Sequence, residues 1–313
     1  MCGIAGLIHK GKTVNIGKEL KDMLQALKHR GPDSTGYALY GEGSNGDYIM
    51  RFKVGENVGE GSSAVNEDKS VYDSRKKQVD SHLKELGAQI VKEDRLTPYS
   101  FRYIIKYDKD LMEFSKKIES VKMTEILSLG KSLELVKDLG DANTVSKQYG
   151  LDKMKGTHAI GHSRMATESG VDIRSAHPFW GYPFSDMSVV HNGQLTSYWN
   201  NRRILERKGM RFVSECDSEL IAVYLAEKMR SGVTLEQGMK DSIKELDGVF
   251  TYLVATKDSL GMAKDVMAAK PMVLYESDDL VALGSEEIAI RTLLPQEIDT
   301  YDPYEGEVKV WQT

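Results

Sequence analysis

A cysteine stands directly behind the initiating methionine, at position 2. Removal of Met1 would leave a thiol and a free α-amine on one residue. An α-amine with a reference pKa of about 7.7–8.0 is a usable general base near neutral pH, and a thiol is an intrinsically strong nucleophile. Cys2 also reads as a small buried hydrophobe in a first strand. Amide hydrolysis further needs donors aimed at the oxyanion of a tetrahedral intermediate. The segment His191-Asn192-Gly193-Gln194 ends an apolar run, so the Asn192 side chain and the Gly193 backbone N–H are candidates, with a plain turn as the other reading. An amino-acid substrate calls for a cation on its carboxylate and an acid on its ammonium. Arg164 closes a strand-like run and its fork suits a carboxylate; Asp217 opens a helical run. A surface ion pair for Arg164 and an N-cap for Asp217 remain open at this stage.

Other chemistry-bearing patterns carry less. His158 and His162 lie four apart, a metal-binding spacing on a helix, but the apolar pattern around them is that of a strand, where such residues stand far apart; no metal site is expected. Cys2 and Cys216 are the only cysteines, too few for a disulfide framework or a Cys-x-x-Cys motif. The Gly-x-Gly-x-x-Gly of residues 41–46 lies between two strand-like runs, 37–40 and 48–52. Its Asn45-Gly46 predicts a hairpin and not a phosphate loop, which should open a helix.

The elements that position these residues follow from periodicity. Residues 3–8 read as a strand, and Leu20, Met23, Leu24 and Leu27 recur at helical spacing until His29-Arg-Gly-Pro-Asp33 stops the helix. From 54 to 155 the chain turns to charged stretches of helical spacing, 74–86 and 111–139, around a strand at 99–107, as expected of an inserted, mainly helical or α+β subdomain. Short apolar strands follow at 158–163, 187–191, 249–255, 272–275 and 280–283. Helices fall at 218–229 and at 235–246, the second capped by Thr234. Strands outnumber helices without alternating with them, which favours a layered α+β domain over a doubly wound parallel sheet.

The chain has 313 residues, of which 40% are hydrophobic, ample for a real core. No apolar run approaches the roughly 18–20 residues of a membrane span, and the start lacks the positive flank of a signal peptide. A net charge of -5 without a basic tract argues against nucleic acid or anionic membrane as partner. A cytoplasmic protein acting on small molecules or other proteins is expected.

Taken in order, Cys2-Gly-Ile-Ala-Gly6, His29-Arg-Gly-Pro-Asp33, Gly161-His-Ser-Arg-Met-Ala-Thr167, His177-Pro-Phe179, His191-Asn-Gly193 and Asp217-Ser-Glu219 resemble the signature of class II glutamine amidotransferases. The resemblance covers residues 2–53 and 156–313 and leaves out 54–155. It implies a four-layer αββα sandwich of the N-terminal-nucleophile hydrolase type, with two antiparallel sheets between helix layers. It implies Cys2 as nucleophile with its amine as base, Asn192 and Gly193 as oxyanion hole, Arg164 on the carboxylate of L-glutamine and Asp217 on its ammonium. Arg30 and Thr167 would shape the pocket. Arg164-Met-Ala-Thr-Glu-Ser169, Lys264-Asp-Val-Met-Ala-Ala-Lys-Pro271 and Leu283-Gly-Ser-Glu286 look like the stand-alone amidotransferase subunits of glutamate-synthase-like and N-methylglutamate-synthase-like complexes. That likeness implies partner synthase subunits, with FMN and an iron–sulfur cluster in those partners and no cofactor in this chain. The insert is then expected to bind a partner or gate the site without forming part of it.

Two other readings stand beside this one. A catalytically silent regulatory or scaffold subunit would keep the fold and bind glutamine, but has no need of Cys2, Arg164, Asn192 and Asp217 together. A hydrolase of a different amide would need no matched carboxylate and ammonium partners.

Overall fold

The computed structural model describes residues 2–43, 45–56, 67–165 and 173–313. In chain order these form β1 (Gly3–His9), α1 (Ile16–Ala26), β2 (Ser34–Tyr40), β3 (Tyr48–Lys53), α2 (Lys69–Leu86), β4 (Gln89–Arg95), β5 (Ser100–Lys106), α3 (Leu111–Ile118), β6 (Glu125–Gly130), β7 (Leu133–Leu139), α4 (Ala142–Tyr149) and β8 (His158–Arg164). Then come β9 (Phe179–Trp180), β10 (Ser188–Leu195), α5 (Tyr198–Arg207), α6 (Asp217–Arg230), α7 (Leu235–Glu245), β11 (Gly248–Ala255), β12 (Ser259–Lys264), β13 (Val273–Glu276), β14 (Leu280–Gly284), α8 (Glu287–Arg291) and β15 (Val308–Gln312).

Two antiparallel sheets lie face to face. One has the order β13-β14-β1-β8-β2-β7, the other β15-β12-β11-β10-β9. β1 explains the layering. It is apolar on both faces because both are covered: Ile4 and Ile8 join the core between the sheets, while Ala5 and Leu7 join the core beneath α1, α4 and α8. Gly6 is needed at the crossing, since a Cβ there would lie 2.8 Å from Leu253 Cδ1 on the facing sheet. On the far side α6 is buried from Ser218 to Glu227, with α5 and α7 beside it, and covers the outer face of the second sheet. The expected αββα sandwich is therefore present. No helix among the described residues is long and apolar enough to cross a membrane.

The insert departs from several local expectations. A third sheet, β4-β5-β3-β6, leans on the sandwich. β2 and β3 flank the Asn45-Gly46 turn, whose residues have φ of 52° and 92°, but they do not form the predicted hairpin. β2 is taken on both edges by β7 and β8, and β3 by β5 and β6. The helical spacing read over 111–139 holds only for α3; β6 and β7 follow, buried on both faces and so without a period of two. The insert is thus helix and strand together, and the sheets divide the chain elsewhere than at 53 and 155. β3 belongs to the third sheet and β7 to the first. Val79, Leu83, Phe101 and Phe114 of the insert share one continuous buried cluster with Ile4 and Leu253 of the sandwich.

Candidate active site

Cys2 enters the middle of the first sheet, where β1 is flanked by β14 and β8. The start of the strand is fixed by a reciprocal pair: Ile4 N–H donates to Ser285 Oγ (2.9 Å) and Ser285 N–H to Ile4 O (2.9 Å). Two side chains converge on the Cys2 carbonyl oxygen, Arg30 through Nε at 3.0 Å and Asn192 through Nδ2 at 3.2 Å. Arg30 is backed by Glu286, 2.5 Å from its guanidinium, which also meets His29 at 3.1 Å. Partial burial pushes the Glu286 carboxyl upward, but the hydrogen bonds from Arg30 and His29 outweigh it and hold the group below its usual range.

The loop that carries Arg30 lies against Arg164. A Cβ on Gly31 would stand 2.3 Å from the Arg164 carbonyl carbon, and Asp33 N–H donates to Arg164 O (3.1 Å). Only glycine allows that approach. Gly193, beside Asn192 on β10, has φ of 142°, and a Cβ there would fall 2.0 Å from Val249 O on β11.

Asp217 is the first residue of α6, behind Cys216 as N-cap, and its side chain does not cap the helix. Its Oδ2 accepts the Leu195 N–H at 2.7 Å, tying the end of the Asn192 strand to the helix start, where an anion is favoured by the helix dipole. Glu219, which closes the Asp217-Ser-Glu219 motif, is buried and accepts from Val213 N, Ser214 N and Ser214 Oγ at 2.8, 2.8 and 2.6 Å. Burial outweighs these donors and raises its pKa.

Between these groups lies a histidine cluster that the sequence did not reveal. The His177 ring is 4.0 Å from that of His162 on β8 and 6.3 Å from that of His191 on β10. Its Nδ1 accepts the His191 N–H at 3.2 Å, and its Nε2 is 3.9 Å from Cys216 Sγ. His191 Nδ1 in turn meets Ser218 Oγ at 2.7 Å. Burial first, and then the Arg164 cation, push His162 down to about 3; burial brings His191 to about 4 although Asp217 opposes it; burial first, and then the neighbouring His162 and His191, lower His177 well below its ordinary value. All three are neutral at physiological pH. Cys216 is pushed up to about 11 by burial and by Asp217, against a pull from Arg164, and so stays a thiol. Cys216 thus lies within electrostatic reach of both Arg164 and Asp217. No group of three or more His, Cys, Asp or Glu among the described residues is arranged to hold a metal ion. His158 instead bonds Thr256 O at 2.7 Å and stacks on Tyr40.

Residues from most of the quoted motifs therefore meet around the chain start. Thr167 falls within 166–172, outside the described residues. His177 and Glu286 sat inside quoted motifs, but only their contacts, to residues far off in sequence, give them a place.

Two antiparallel sheets between helix layers, with a cysteine leading into a central strand, define the N-terminal-nucleophile hydrolase fold. The fold of glutamine phosphoribosylpyrophosphate amidotransferase from B. subtilis is similar, with a TM-score of 0.60 at 18% identity over 99% of this chain and 47% of that one. This chain thus spans about half the length of that protein. A family model for the glutamine amidotransferase domain matches residues 162–292. The "Putative glutamine amidotransferase" of Methanothermobacter thermautotrophicus is 37% identical across the whole of both chains. Glutamine amidotransferase-like protein GlxB of Rhizobium meliloti is 34% identical over 94% of this chain and 92% of that one. The chain belongs to the class II glutamine amidotransferase family.

Proposed function

We propose that this chain is the glutaminase subunit of a larger synthase: it hydrolyses L-glutamine through a Cys2 thioester and passes the ammonia to a partner subunit. The observation that carries the reading is the convergence of Arg30 and Asn192 on the Cys2 main chain, with Asp217 bonded to the same strand as Asn192. Once Met1 is lost, the Cys2 amine takes the thiol proton and Sγ attacks the glutamine side-chain carbonyl. The oxyanion then develops beside Asn192 Nδ2 and the Gly193 N–H. Return of the proton to the leaving nitrogen releases ammonia, and water hydrolyses the thioester to glutamate. Arg164 takes the substrate carboxylate, Asp217 its ammonium, and Arg30 and Thr167 shape the pocket.

The sequence likeness of residues 164–169, 264–271 and 283–286 supports a partner of glutamate-synthase or N-methylglutamate-synthase type, in the cytoplasm, with FMN and an iron–sulfur cluster held by that partner. Intact-mass measurement of the purified complex, combined with glutaminase assays, tests the whole reading. Active protein should lack Met1, Cys2→Ala should be folded and inactive, and Arg164→Lys should raise the glutamine KM by about tenfold or more, because a point ammonium cannot replace a fork. Normal turnover by Cys2→Ala, or active protein that retains Met1, would overturn the mechanism. A wild type that binds glutamine without turning it over would favour the silent regulatory subunit.

A further inference from the structure

The backbone of residues 174–176, which leads into β9, is gripped by a side chain of the insert. Lys137 on β7 donates through Nζ to Arg174 O at 3.2 Å and to Ala176 O at 3.1 Å. The same ammonium lies 3.4 Å from Glu125 Oε1 on β6, and Glu125 Oε2 lies 3.1 Å from Lys53 Nζ on β3. Lys53 continues to Glu56 Oε1 at 2.8 Å, and that oxygen also accepts from Arg174 Nε at 3.0 Å. The contacts close a ring, Arg174 to Glu56 to Lys53 to Glu125 to Lys137 and back to the Arg174 carbonyl. The side chains of Lys53, Glu125 and Lys137 are only 3%, 5% and 3% exposed.

Buried charges of this kind are weak evidence of stability, since well-packed apolar residues of similar volume often do as well or better. What the ring holds suggests its use. The residue after Ala176 is His177, whose carbonyl is pressed against Gly36, where a Cβ would be 1.9 Å away. Besides a ring contact with Phe179, His177 reaches three residues next to or near site residues: His191 before Asn192, Cys216 before Asp217, and His162 two residues before Arg164.

We propose that Lys53, Glu125 and Lys137 are positioning residues for the glutamine site, fixing His177 through the 174–176 backbone and, through His177, the groups at 164, 192 and 217. The proposal rests on the glutamine reading above for its kinetic consequence, but its structural core is separable. The insert then belongs to the machinery of the site without touching substrate.

The test uses the full chain in Lys137→Met, Lys137→Arg and Glu125→Gln forms, with Glu134→Gln as a comparison from a second buried ion cluster in the insert. Amide hydrogen exchange at 173–177 and 189–193 is read beside glutamine KM and kcat. Lys137→Met should speed exchange in both segments and raise KM about tenfold with a smaller change in kcat, since small displacements of positioning groups are costly. Lys137→Arg, which keeps donors for both carbonyls, should stay near wild type. Glu134→Gln should lower the thermal midpoint and leave exchange in these segments and KM unmoved. Should Lys137→Met not fold, Glu125→Gln, which keeps shape and loses charge, gives the same reading more weakly. Site exchange and KM that shift no more than in Glu134→Gln at matched stability would overturn the proposal. A wild type without glutaminase activity would remove the functional reading and leave the exchange measurement to decide the positioning.

Discussion

Glu134 and Lys137 stand three residues apart on β7 and so on opposite faces of it, and each completes a buried ion cluster, but the two clusters grip different things. Glu134 is clamped by Arg51, 2.6 Å away, and Arg102, 2.7 Å away, both on the third sheet; the cluster joins β7 to β3 and β5 and runs on through Arg102 only to Asp94 on β4 (3.4 Å), within that same sheet. Lys137 holds Glu125 and two main-chain carbonyls that lead into the site. Burial pushes both carboxyls upward, yet paired cations hold Glu125 and Glu134 down to about 2. Burial depresses Lys137 beyond what Glu125 restores, whereas the carboxylates around Lys53 outweigh its burial and raise it. Similar charge chemistry thus serves as a joint between sheets on one face of a strand and as a handle on the site on the other. What separates them is the identity of the groups at the end of the chain of contacts.

The largest expected effect breaks the joint outright. Glu134→Ala leaves Arg51 buried without its carboxylate and half-buried Arg102 with Asp94 alone, and urea unfolding should show a loss of about 3–5 kcal/mol, the usual cost of removing one partner from a buried pair. Replacing Arg51, Glu134 and Arg102 together by Met, Leu and Met should recover most of that loss, because the desolvation of the charges disappears with them. If the single and triple variants were equally destabilised, the cluster would matter for packing and not for charge.

The next effect separates the site from the insert by pH. The site packs around buried neutral histidines, the insert around buried charged groups. His162 and His191, with His158 at about 4, have folded values far below the unfolded value of about 6.5. Below that value the unfolded chain binds more protons than the folded one, so stability falls as pH falls, from near 6.5 down through about 4 and about 3. A loss on the order of 1–3 kcal/mol per histidine is expected over that window. Glu125 and Glu134 contribute stability that is intact above about 4.3 and is lost only as pH falls toward about 2. Hydrogen exchange between pH 7 and 4.5 should therefore loosen residues 158–163 and 189–193 before β3, β5 and β6. A urea midpoint that stays flat from pH 6.5 to 4.5 would contradict the neutral state of the histidines.

The same contrast explains what was legible in the sequence. Strand and helix periods gave β1, β5, β8, β11, β14, α6 and α7 closely, because each has a turn or cap at its ends and a face of regular composition. The apolar run from Ile126 to Leu129 failed because β6 is covered on both sides. The Asn45-Gly46 turn was read correctly as a turn, but local chemistry cannot say that β2 and β3 part into different sheets. Helix α5 was missed, since its Trp199 and Ile204 face solvent and blur the periodicity. Around Cys2, short motifs named the residues that meet, while the ion ring escaped notice because residues 53 and 56, 125, 137 and 174 come from four separate stretches. The insert was expected to be dispensable for the glutamine site. Replacing 56–153 by a linker would in fact remove β7, the Lys137 anchor and part of the core between the sheets, so loss of glutamine binding on that deletion would not identify a partner surface.

The smallest effect supplies the baseline against which the others are read. Thr234 caps α7, its side chain accepting the Gln237 N–H at 3.3 Å, and α7 lies on the outer layer, away from both ion clusters. Thr234→Ala should cost about 1 kcal/mol, the typical worth of a hydroxyl N-cap. It should leave the glutamine KM and the exchange of residues 173–177 unchanged. A stability loss of that size without any movement in the site shows what a purely structural change looks like in this protein. If Thr234→Ala did raise KM, then modest global destabilisation alone would reach the site, and a KM change in Lys137→Met would have to exceed the Thr234→Ala value at equal stability before it could be credited to positioning.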